Sequence, residues 1–118
     1  MTKEEILQLV LEKPLVPVYY NADVEITKTI VKACFEAGIR AFEFTNRGEN
    51  AAEVFSKIQP FVRENCPGMI LGIGTIVDAK TAEKYVKLGA DFIVQPGTTK
   101  EVGEVCKKHN IAWIPGVM

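Results

Sequence analysis

The stretch "EAGIRAFEFTNRGEN", residues 36–50, passes from a helix-like pattern through Gly38 into a short apolar run and then into a polar loop. Gly38 suits the left-handed C′ position that closes a helix. The run "RAFEFT" (40–45) reads as a strand. Two further junctions repeat the theme, "KLGADFIVQ" (87–95) and "KHNIAWIPG" (108–116), with Gly89 and Asn110 in the place of Gly38. Helix-to-strand junctions that recur in this way predict repeated βα units built on a parallel sheet.

Outward from these junctions, the pattern predicts strands at 15–20, 40–45, 69–74, 91–95 and 111–115. Helices are predicted at about 23–37, 49–65, 78–88 and 99–109, preceded by a leading helix over 3–12. Each helix is polar on one face and carries aliphatic residues at spacings of three and four, as in "EITKTIVKACFEAG" (25–38). No linker or low-complexity tract interrupts the chain, so residues 1–118 are expected to form one domain.

Composition narrows the function. The 118 residues are 47% hydrophobic and 25% charged, as in an ordinary globular protein. They fall well short of the roughly 250 of a full (β/α)8 barrel. A net charge of −1 leaves no basic footprint, which argues against nucleic acid and acidic membrane surfaces as partners. The opening "MTKEEILQLVLEK" lacks the apolar core of a secretory signal, and no apolar run is long enough to span a bilayer. Cys34, Cys66 and Cys106 show neither metal-ligand spacing nor a disulfide framework. A reduced, cytoplasmic protein is expected.

Parallel sheets of this kind place their functional loops at the C-terminal ends of the strands. That edge carries Thr45, Asn46, Arg47 and Gly48 after the second strand, "GIGT" ending at Thr75 after the third, and Gln95, Pro96 and Gly97 after the fourth. Alternation along "RAFEFT" puts Phe42 and Phe44 on one face and Ala41, Glu43 and Thr45 on the other. The phenylalanines suit packing against helices, which turns Glu43 inward. An interior carboxylate costs several kcal/mol or shifts its pKa upward unless something compensates or uses it. Arg47 is the nearest cation in sequence, but four extended residues span roughly 13 Å, so the loop must fold back for contact. Two readings stand side by side: a structural Glu/Arg pair, or an acid/base beside an anion-binding arginine. Thr75 is likewise either a loop hydroxyl or a ligand contact. His109 reads as a helix-end residue and Trp113 as core, and "GIGTIV" holds only two of the glycines of a dinucleotide fingerprint.

The succession "VPVYY", "AGIRAFEFTNR", "GIGTIVDAKTAEKYVKLGADFIVQPGTT" and "IAWIPGVM" resembles the N-terminal part of the 2-keto-3-deoxy-6-phosphogluconate (KDPG) and 4-hydroxy-2-oxoglutarate (KHG) aldolases. The resemblance runs from about residue 14 to the end, in order and spacing. It implies an α/β (β/α)8 TIM barrel, here its first four βα units plus strand five, usually trimeric. It also implies a class I lyase that needs no metal or other cofactor. In such enzymes a lysine forms a Schiff base with a keto-acid substrate, and carbon–carbon cleavage releases pyruvate and an aldehyde. By the same likeness Glu43 is the general acid/base, Arg47 and Thr75 bind the substrate carboxylate, and Pro96 and Gly97 wall the pocket. A planar carboxylate suits the guanidinium fork, and Schiff-base chemistry needs a carboxylate of tuned pKa to move protons.

The chain departs from the family pattern in three places. Family members often carry a bulky apolar residue where Asn46 stands and a serine where Gln95 stands. The family's Schiff-base lysine lies on the sixth strand, and this sequence ends at Met118, just past the fifth. The chain therefore reads as an N-terminal portion, expected to be inactive alone and to associate through its open sheet edges. The competing reading is a noncatalytic module in which five strands form an open, flavodoxin-like sheet.

Overall fold

The computed structural model describes residues 1–117; Met118, at which the fifth-strand motif stops, lies outside the described residues. Five strands alternate with helices: α1 (Lys3–Glu12), β1 (Val18–Tyr19), α2 (Val24–Glu36), β2 (Ala41–Thr45), α3 (Ala51–Asn65), β3 (Ile70–Gly74), α4 (Ala79–Lys87), β4 (Phe92–Gln95), α5 (Lys100–Lys108) and β5 (Ala112–Pro115). The three repeated junctions close in one way. Gly38, Gly89 and Asn110 sit at φ +100°, +92° and +53°. In each, the next residue donates back across the helix end: Ile39 to the Cys34 carbonyl, Ala90 to Tyr85 and Ile111 to Cys106, at 3.0, 3.0 and 2.8 Å. These are Schellman closures, and each aims the chain into the following strand.

All strand pairs are parallel and their spatial order is the sequence order, β1-β2-β3-β4-β5. That order decides between the two architectures. A flavodoxin-like sheet reverses direction at a switch point and carries helices on both faces. A chain that always steps to the next strand through right-handed crossovers lays its helices on one face, as a barrel does. The packing agrees. Phe42, Phe44, Leu71, Ile73 and Ile93 form an outer core with Val31 of α2, Val54, Phe55, Ile58 and Val62 of α3, Tyr85 of α4 and Val102 of α5. Fully burying each such aromatic or branched side chain contributes about 1.5–3 kcal/mol.

The opposite face has its own small core. Ala41, Ile70, Phe92 and Ala112, the first residues of four strands, pack with Ile6, Leu9 and Val10 of α1. The leading helix thus plugs the N-terminal end of the inner face and leaves the C-terminal end to polar residues. It is held at its start by a capping box in which Thr2 Oγ1 accepts from the Glu5 amide at 3.1 Å.

β1 is shorter than its apolar pattern predicts, two residues instead of six. Pro17 has no N–H to give to the ladder, although its carbonyl accepts from the Glu43 amide at 2.9 Å.

Candidate active site

Glu43 lies in the middle of β2 and is 8% exposed. Its Cα partners are Val18 on β1 and Gly72 on β3. The inner face of β3 carries glycine at 72 and 74, and both gaps are filled by neighbours. A Cβ at Gly72 would collide with the Phe92 ring, and one at Gly74 would collide with the Glu43 carboxylate. The missing side chains of β3 therefore make a trough, in which Phe92 occupies the apolar lower level and Glu43 the level above it. Burial there pushes the Glu43 carboxyl above its ordinary 4.5, and the positive charge of Arg47 draws it part of the way back.

Arg47 is exposed and, among the described residues, forms no ion pair within 4.0 Å. The structural Glu/Arg pair is thus not made, and the guanidinium stays free to meet a ligand while still acting on Glu43 through space. Its loop returns to the sheet, as the sequence requires, because the Asn46 amide donates to the Gly74 carbonyl at 3.0 Å. This bond brings the Arg47 turn against the residue that precedes Thr75.

Thr75 adopts φ +61°. A β-branched residue is an outlier in the left-handed region, and such strain persists where surrounding structure imposes it. The hydroxyl does not cap the next helix, since Asp78 does that by accepting from the Thr81 amide at 2.7 Å. Pro96 and Gly97 follow β4 on the same edge. Their loop is tied to the end of β5 by the Gly116 amide, which donates to the Gln95 carbonyl at 2.6 Å, and by Thr98 Oγ1, which donates to the Gly116 carbonyl at 2.6 Å. Arg47, Thr75, Pro96 and Gly97 thus follow the C-terminal ends of β2, β3 and β4, and Glu43 lies within β2 two residues before its end.

Gln95 and Asn46, the two positions expected to differ from the family pattern, turn toward the helical layer. Gln95 is 1% exposed; its Nε2 donates to Thr99 Oγ1 at 2.7 Å and its Oε1 accepts from Trp113 Nε1 at 3.2 Å. Asn46 Oδ1 accepts from Tyr85 Oη at 2.8 Å. Burial pushes the Tyr85 phenol up to about 12, so this donor keeps its proton at neutral pH.

Sequence reasoning put two further residues on this edge without assigning either a role. One is Gly74, whose signal was the alternation of glycines in "GIG" beside a strand with an interior carboxylate. The other is Thr45, 1% exposed on the Glu43 face, whose Oγ1 is buried without a hydrogen-bond partner in the described structure. No group of three His, Cys, Asp or Glu side chains draws together as metal ligands among the described residues. A groove of about 1200 Å³ runs between α3 and α4, lined by Glu53, Ser56, Thr81 and Lys84 among others, on the outer layer and apart from this edge.

A family model described as "KDPG and KHG aldolase" matches residues 6–118. The chain belongs to the KDPG and KHG aldolase family. It is 36% identical over 104 residues to the 2-dehydro-3-deoxy-phosphogluconate aldolase of Pseudoalteromonas atlantica, covering 88% of this chain and 46% of that protein. The crystal structure of the Zymomonas mobilis 2-keto-3-deoxy-6-phosphogluconate aldolase with 3-phosphoglycerate superposes at a TM-score of 0.82 with 28% identity, over 98% of this chain and 53% of that one. The Legionella pneumophila KDPG aldolase, whose structure captures pyruvate as a covalent carbinolamine intermediate, superposes at 0.81 with 28% identity, over 92% of this chain and 51% of that one. The chain thus spans about half the length of the curated relatives and solved structures it matches. The αβ order and the parallel sheet are those of the family's barrel, and no helix of the described residues is long and apolar enough to cross a membrane.

Proposed function

We propose that residues 1–118 form the N-terminal part of a (β/α)8 barrel and supply the proton-transfer and carboxylate-binding half of a class I aldolase site. The substrates are 2-keto acids of the KDPG or KHG type, cleaved to pyruvate and an aldehyde. The observation that carries this reading is the buried Glu43 carboxylate, which has no hydrogen-bond partner among the described residues, beside an Arg47 that forms no ion pair among them. A carboxyl lifted by desolvation stands closer to neutral pH, where it both gives and takes protons efficiently. In this role Glu43 shuttles protons during carbinolamine formation and cleavage. Arg47 holds the keto-acid carboxylate in its planar fork, and the Thr75 hydroxyl adds a second hydrogen bond. Pro96 and Gly97 wall the pocket on the β4 side. Trimeric assembly and a cytoplasmic location belong to the same proposal.

The electrophile-binding lysine has no candidate on this edge. Every lysine of the described residues lies on one of the five helices or, as Lys13, at a helix end. We assign the Schiff-base lysine to the part of the barrel that follows strand five. The test is reduction with borohydride in the presence of pyruvate. Residues 1–118 alone should gain no pyruvyl mass and release no pyruvate from KDPG. A single specific pyruvyl-lysine on the isolated chain, together with retro-aldol turnover, would place the nucleophile within these residues instead.

A further inference from the structure

We propose that Asn46 and Tyr85 are a positioning pair that sets the Arg47 guanidinium for its carboxylate ligand, an inference that rests on the keto-acid reading of the site. Arg47 sits in a turn whose two ends are each tied down by a tyrosine hydroxyl. At the near end Tyr85 Oη donates to Asn46 Oδ1 at 2.8 Å, and the Asn46 amide donates to the Gly74 carbonyl at 3.0 Å. At the far end Tyr20 Oη donates to Asn50 Oδ1 at 2.6 Å, and Asn50 Nδ2 donates to the Ala22 carbonyl at 3.2 Å. Between them Gly48 lies so close to the Tyr20 hydroxyl that no Cβ fits.

Tyr85 is a rigid anchor. Its side chain is fully buried, and its ring meets Phe55 edge-on with centroids 5.3 Å apart. Helical side chains lean toward the N-terminus of their helix, which carries this hydroxyl from α4 toward the C-terminal edge of the sheet. Asn46 is thereby fixed at both its backbone and its side chain. The Cα of Arg47 is one residue away and inherits that position relative to Gly74 and Thr75. Displacement of a ligand-holding group by about 1 Å lowers rates by roughly 100-fold in well-oriented sites, so an exposed arginine gains from a fixed root.

The pair also predicts its own rescue. Removing the Tyr85 hydroxyl leaves the half-buried Asn46 acceptor without its donor, whereas replacing both by apolar groups of similar shape is nearly neutral. In the native protein that contains this chain, Tyr85→Phe should raise KM for the keto acid about five-fold, with kcat changed less. Backbone ¹⁵N relaxation should show added motion at the Arg47 and Gly48 amides. The double variant Asn46→Leu/Tyr85→Phe should bring KM back to within about two-fold of wild type. If Tyr85→Phe lowers Tm while KM and the Arg47 and Gly48 amides stay as in wild type, the pair is core packing and the proposal falls. Absence of keto-acid turnover in the wild type would defeat the functional reading, and the amide measurement would still decide the pair.

Discussion

The carboxylate of Glu43 occupies the space where Gly74 would carry a side chain. One residue defines the position of the other, across two adjacent strands. Gly74→Ala should therefore expel the carboxylate from its trough, at a stability cost of about 1–3 kcal/mol and with a loss of turnover of about 100-fold. Chemical denaturation and steady-state kinetics on the same preparation check both numbers. Wild-type kinetics in this variant would show that Glu43 does not work from the buried position.

Burial of Glu43 also makes stability depend on pH with a definite sign. Its folded pKa is raised above the ordinary 4.5, so the folded chain keeps a proton that the unfolded chain has released. The contribution is fully present below the unfolded value and is lost as pH rises through the folded value. Glu43→Gln removes the titration. The variant and the wild type should have similar midpoints near about pH 4, and the variant should be the more stable near about pH 7. A difference independent of pH would mean that the carboxylate is not desolvated.

Much of the fold was legible because its signals are local. The Schellman closures at Gly38, Gly89 and Asn110 and the alternation in "RAFEFT" need no knowledge of distant residues. The strand order was not legible from the alternation itself, which serves a barrel and a doubly wound sheet alike; only the resemblance to the aldolases implied the barrel order that the sheet shows. Glu43 and Arg47 stood out by chemistry, a charge where an apolar residue belongs and a cation just beyond it. The contacts of Asn46 with Tyr85, 39 residues away, and of Gln95 with Trp113, 18 away, were hidden because they depend on which helix covers which strand. The strain at Thr75 was hidden for a related reason: nothing in "GIGT" announces that the positive φ falls on the threonine rather than on a glycine.

Thr45, on the Glu43 face, offers a test of the packing of the inner face. Its buried hydroxyl has no partner among the described residues, and an unsatisfied buried hydroxyl costs about 1–3 kcal/mol. Thr45→Val keeps the shape and the β-branching, so it should stabilise the fold by about 1 kcal/mol. Thermal and urea unfolding read this directly. Destabilisation of similar size would reveal an ordered water bound to the hydroxyl.

Arg47→Lys keeps the charge and loses the fork. Because the arginine makes no ion pair with Glu43, the substitution should leave stability within about 0.5 kcal/mol while weakening keto-acid binding by about 1–3 kcal/mol. Calorimetric titration with pyruvate and a melting curve separate the two effects. Unchanged affinity would remove Arg47 from the binding site.

The central claim is that Glu43 moves the protons. It is tested by pyruvate release from KDPG and KHG in the native protein carrying Glu43→Gln, an isosteric change that keeps the trough filled and removes only the titrating group. Turnover should fall by about 100-fold or more while circular dichroism and Tm show an intact fold. Wild-type turnover in the folded variant would contradict the account.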